Sequence, residues 1–178
     1  MSQKIQNQTI IYLIIILFHS CYYLHNSNQL EKITELEKII DLDKKKMKEC
    51  RTNEIEKIFN ITRLNLDLLE SKQLDSIAFS LIYYDYRNYI DCVTQMYEAY
   101  KELNQFSEVL TINNTQLKNI KSDYMNSDVK RNDLDQYLLE EINIIKVTSK
   151  TIDELVKTID VTVTDFYKLN EKLENILN

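Results

Sequence analysis

Glycine, proline and tryptophan are absent from all 178 residues, and alanine occurs only at Ala78 and Ala99. Without glycine the chain has no phosphate-cradling loop, no dinucleotide-binding turn and no tight primed hairpin turn, because each needs a positive φ or a close backbone approach. Sheet-rich folds are thereby disfavoured and an all-α fold is expected. Histidine is nearly absent too: His19 and His25 both lie in or beside the N-terminal targeting segment. A folded body without histidine lacks the commonest general base and the commonest metal ligand. No nucleophile motif or zinc spacing replaces them, and paired carboxylates such as Asp41 and Asp43, or Glu140 and Glu141, sit beside lysines. The expectation is therefore no enzyme, no cofactor, no metal and no small-molecule substrate. Basic residues number 22 against 28 acidic ones, a net charge of −6. That balance gives a general nucleic-acid partner no electrostatic support.

Abundant Ile, Asn, Lys and Tyr fill the space, a bias that fits an AT-rich genome. From Leu138, alternating steps of four and three reach Ile142, Ile145, Ser149, Ile152, Val156, Ile159, Val163, Phe166, Asn170, Leu173 and Leu177, and ten of these twelve positions are apolar. Such alternation specifies a helix with one continuous buried seam, running roughly 65 Å at 1.5 Å per residue. A second seam runs Phe79, Ile82, Tyr86, Tyr89, Val93, Met96, Tyr100, Leu103, Ser107, Leu110. Ala78, Cys92, Ala99 and Phe106 beside it, like Leu155, Leu169 and Ile176 beside the first, widen each stripe to what a helix inside a bundle needs. A charged helix over 28–70 precedes them, with a break near 51–53 from a capping-box pattern at Asn53 and Glu56. Its end at Ser71–Gln73 is the first reversal. Asn, Asp and Ser crowd 111–133, which reads as a short helix and a longer loop. The expected fold is all-α: an elongated, coiled-coil-like antiparallel bundle of three long helices over 28–70, 74–110 and 134–177, forming one domain from residue 30 to 178.

The N-terminus carries an address. Ile10 to Phe18 is a run of nine apolar residues, too short for a bilayer that needs about 20 but suited to the hydrophobic region of a secretory signal. The sequence Leu17-Phe18-His19-Ser20-Cys21 that follows resembles the lipobox of bacterial lipoproteins. It is most similar to the loose lipoboxes of spirochaetal (borrelial) helical outer-surface lipoproteins, whose bodies are also rich in Lys, Asn and Ile. Phe18 stands where Leu is usual, Lys4 is the only basic residue ahead of the run, and Tyr22-Tyr23-Leu24 follows the cysteine instead of small polar residues. Three readings stay open: a signal over 1–20 with lipidation at Cys21, an ordinary cleaved signal, or an uncleaved anchor to about residue 24 with Tyr22 and Tyr23 at the interface. A tether over 21–29 follows. The resemblance implies a surface lipoprotein that engages host proteins such as complement regulators or matrix components. The alternative is a single-span structural subunit whose helical rod is a stalk or scaffold in a membrane complex, including that of an organellar inner membrane.

Two further features bear on the folded part. The midpoint of Cys50 and Cys92 falls on the Ser71 reversal, so both thiols are expected at one height, and a disulfide between them would stabilise the fold by roughly 3–4 kcal/mol. Six of the twelve tyrosines fall between residues 83 and 100. Tyr86, Tyr89 and Tyr100 belong to the seam, which leaves Tyr83, Tyr84 and Tyr97 as candidate protein-binding residues, since exposed tyrosine is a preferred contact. The run Lys44-Lys45-Lys46-Met47-Lys48 reads as a solvated helix face.

Overall fold

The computed structural model describes residues 27–72, 76–126 and 131–177. The segment over 1–24 with Cys21, and the start of the tether, lie outside them. Among the described residues helix is the only regular element: α1 (27–49), α2 (Thr52–Ser71), α3 (Ser76–Asn126) and α4 (Arg131–Leu177). None of them is long and apolar enough to cross a membrane.

The seams become the buried lines of their helices. On α4, Leu138, Ile145, Ile152, Ile159, Val163, Phe166, Asn170 and Leu173 are buried. The widened stripe is real as well, since Glu141, Thr148 and Thr162 are buried on the same seven-residue line as Leu155 and Leu169. On α3, Ile82, Tyr89, Met96, Leu103 and Leu110 are buried, flanked by Cys92 and Ala99.

Two boundaries differ from the sequence reading. α3 does not end at Leu110 but continues to Asn126. Its inward line persists through Asn113, Leu117 and Tyr124, all at most 3% exposed, and no glycine or proline interrupts it. A polar asparagine on a buried line therefore resembles a turn former without being one. The break in the first arm lies where expected, but Asn53 is not the cap. Arg51 is the N-cap, with no side-chain cap bond, and Asn53 is already inside α2. The Arg51 guanidinium instead grips the Glu54 carboxylate with two bonds of 2.7 Å.

The described residues fall into two compact units. The first comprises 27–40 with Ile112–Ile145, and the second Asp41–Thr111 with Lys146–177. In the first unit, Gln29 donates to Asp135, Tyr124 donates to the same carboxylate, and Lys121 pairs with Glu37. In the second, partner numbers on the first arm and α4 rise together: Asp43 with Ser149, Arg51 with Thr164, Asn65 with Asn170. They run oppositely against α3, where Phe59 meets Tyr97, Thr62 meets Tyr89, and Cys92 meets Thr162. Sequential arms of this unit are therefore antiparallel, and its first and third arms are parallel.

Candidate functional site

The start of α3 carries the most exposed apolar surface of the second unit. From Ser76 to Tyr84 the sequence holds no charge, and Ile77, Leu81 and Tyr84 are 73%, 80% and 76% exposed. Their spacing of four and three places them on one side of the helix, a stripe separate from the buried line through Ile82 and Tyr89. Tyr83, 41% exposed, lies on the opposite flank. Its ring meets Tyr84 edge-on at 5.6 Å and Phe79 at 6.1 Å, and Phe79 continues to Tyr86 at 5.8 Å. Each ring thereby presents an edge to its neighbour's face, which holds the aromatic set in place on the surface.

Of the three tyrosines singled out from sequence, Tyr83 and Tyr84 are brought together. Tyr97 is half exposed but lies almost four turns further along α3, where it packs edge-on against Phe59 of α2 at 5.8 Å. Ile77 and Leu81 were missed by sequence reasoning. The signal was present in their four-and-three spacing with Tyr84, a step already used to find the seams. Leu64 and Leu68 of α2, 58% and 50% exposed, form a further apolar pair at i and i+4 on the neighbouring arm.

Beneath this surface is a polar layer built from all three arms. The Asn65 amide donates to Asn170 Oδ1 at 2.7 Å and to Tyr89 Oη at 3.2 Å. The Tyr89 hydroxyl donates to Thr62 Oγ1 at 3.2 Å, and Asn170 Nδ2 donates to Glu174 at 2.8 Å. Thr62, Asn65, Tyr89 and Asn170 are each at most 8% exposed, while Glu174 is exposed. Burial pushes the Tyr89 hydroxyl above the ordinary tyrosine value, the main cause being desolvation, with the Thr62 and Asn65 bonds opposing it. It is a neutral hydrogen-bonding group here.

The cysteines form no bridge in the structure, contrary to the sequence expectation. Both thiols are free and buried. Cys92 Sγ donates to the Thr162 carbonyl at 3.2 Å, so its side chain is spent on α4 and not on the first arm. Desolvation raises the pKa of both, helped by Asp160 at Cys50 and Asp165 at Cys92. Protonated, buried thiols are poor nucleophiles. Beside Cys92 a groove of about 540 Å³ runs between α3 and α4, with Asn88, Gln95, Thr158 and Asp165 on its walls.

In the lysine run Lys44, Lys45 and Lys48 are exposed, and Lys45 and Lys46 form ion pairs. Lys46 reaches both Asp43 and Asp153, and the bond to Asp153 is the first cause of its raised pKa. Lys45 sits 3.7 Å from Glu49. Among the described residues there is no group of three or more His, Cys, Asp or Glu side chains placed to hold a metal ion. No protein family, curated protein or solved structure matches the chain.

Proposed function

We propose that this chain is a membrane-tethered, surface-exposed helical protein whose work is to bind another protein, with the tether at Cys21 and the contact surface at the start of α3. The observation that carries the binding role is the uncharged stretch Ser76 to Tyr84, with Ile77, Leu81 and Tyr84 each more than 70% exposed. Contiguous apolar surface of this kind, rimmed by charge, marks interaction sites in soluble domains. Its aromatic content suits recognition, because tyrosine offers large contact area at small entropic cost. Asp85 and Arg87 follow the stretch directly and supply a mixed polar rim. The tether rests on the lipobox-like Leu17 to Cys21 and its resemblance to spirochaetal lipoproteins, which also makes a host protein the favoured class of partner.

Two experiments test the two halves. A photoreactive amino acid in place of Tyr84, in the protein on intact native cells exposed to host fluid, is expected to give a discrete covalent adduct. The same group in place of Lys150, on an exposed face of α4, is expected to give none. No adduct at position 84, or equal yields at both, removes this surface. For the tether, the protein is expected to take up labelled palmitate in its native host and to lose the label in Cys21→Ser; an unlabelled protein with Met1 intact rules out lipidation.

A further inference from the structure

The second unit changes character at one layer. On one side of Thr62, Asn65, Tyr89 and Asn170 the core is apolar: Ile55, Ile58, Met96, Ile159, Val163 and Phe166 are each fully buried. On the other side, toward the α2 to α3 connection, the buried apolar residues among those described are Ile82 and Leu173. There Leu68, Ile77, Leu81 and Tyr84 are exposed by half or more, while Leu69, Phe79 and Tyr86 are half-buried. The end of the unit thus carries its apolar surface largely outside, above a base of buried polar atoms.

We propose that residues 66–72 of α2 and 76–86 of α3 open as a substructure of their own, and that the Thr62, Asn65, Tyr89 and Asn170 layer is the boundary at which opening stops. The free energy needed to open a segment follows the apolar area it covers, and among the described residues this end covers little. Past the layer the cost rises steeply for two reasons. Separating α2 there breaks the Asn65 bonds to α3 and α4 at the same time and leaves the Tyr89 and Asn170 groups short of partners. Directional bonds of this kind are lost as a set, and buried groups stripped of partners bear the full desolvation penalty. The next layers, Ile58 and Met96, are fully apolar and hold by packing.

Opening of this end turns the half-buried Leu69, Phe79 and Tyr86 outward beside Ile77, Leu81, Tyr83 and Tyr84. The contact surface then has two sizes, a small one when closed and a larger one when open. In this respect the inference deepens the protein-binding reading and rests on it. The opening itself needs no partner, so the test below can fail while the photochemical test succeeds, and the reverse.

Hydrogen exchange of the full chain, read by mass spectrometry peptide by peptide, decides it. Amides of 66–72 and 76–86 are expected to exchange roughly a hundredfold faster than those of 96–110 and 152–166, with rates that barely respond to low denaturant, as local openings do. The step in protection is expected at Asn65 and Tyr89. In Asn65→Ala the step is expected to move to the Ile58 layer, bringing 59–65 into the fast class while 152–166 stays slow. Uniform protection across 55–110 in the wild-type chain overturns the proposal. A step that stays in place in Asn65→Ala overturns the assignment of the layer as the boundary, and Tyr89→Phe repeats that second arm if the alanine variant does not fold.

Discussion

A single buried carboxylate, Glu141 on α4, shows how finely these seams are composed. It is 5% exposed, and desolvation raises its pKa above the ordinary glutamate value. Gln116 of α3, with its amide nitrogen facing the carboxylate, donates to both oxygens at 3.1 and 3.3 Å. Among the described residues no basic side chain is paired with it. A raised pKa means that the folded chain holds this proton more tightly than the unfolded chain does. Its contribution to stability is therefore fully present below the unfolded value, near pH 4, and is lost as pH rises through the folded value. Glu141→Gln removes that loss while keeping an acceptor for Gln116. Urea unfolding is expected to find the variant more stable at pH 7, by on the order of 1 kcal/mol, with the gain shrinking toward zero near pH 4. A gain that does not depend on pH would contradict the assignment.

Helix α3 shows at the next scale what could and could not be read beforehand. Its first 35 residues followed from the seam of Phe79 to Leu110, and α4 followed almost whole from the seam beginning at Leu138. What misled was composition without position. Asn113 and Asn114 look like turn formers, yet Asn113 lies seven residues after Phe106 on the buried line and is 3% exposed. The same blindness hid the polar layer, because a lone sequence cannot show that Asn65 and Tyr89 converge on Asn170 from two other arms. The exposed stripe of Ile77, Leu81 and Tyr84 was legible in principle, since its spacing is that of a seam, but only the structure shows which of two stripes on one helix is buried. Asn114→Pro tests the continuity of α3 directly. In an uninterrupted helix it is expected to destabilise the chain by about 3 kcal/mol or more, measured by thermal or urea unfolding; in a loop it would cost little.

For the whole chain, stability rests on packing and hydrogen bonds, without covalent help among the described residues. Unfolding of the Cys21→Ser chain is expected to show the same midpoint with and without reductant, because Cys50 and Cys92 are separate thiols. A reductant-sensitive shift worth roughly 3–4 kcal/mol would mean that they pair after all. Charge is also distributed at this scale. The acidic excess of six disfavours close approach of two copies of the chain, while the opening of α3 adds no charge of its own.

The odd number of arms in the second unit carries a practical consequence. Because α4 runs parallel to the first arm, its last turns finish at the end of the unit that holds the last turns of α2, where Asn170 meets Asn65. A tag, bead or fluorescent reporter attached after Leu177 is therefore held at the same end of this unit as the start of α3. Attachment through biotin on Lys150, whose side chain is 80% exposed, keeps the support away from that end.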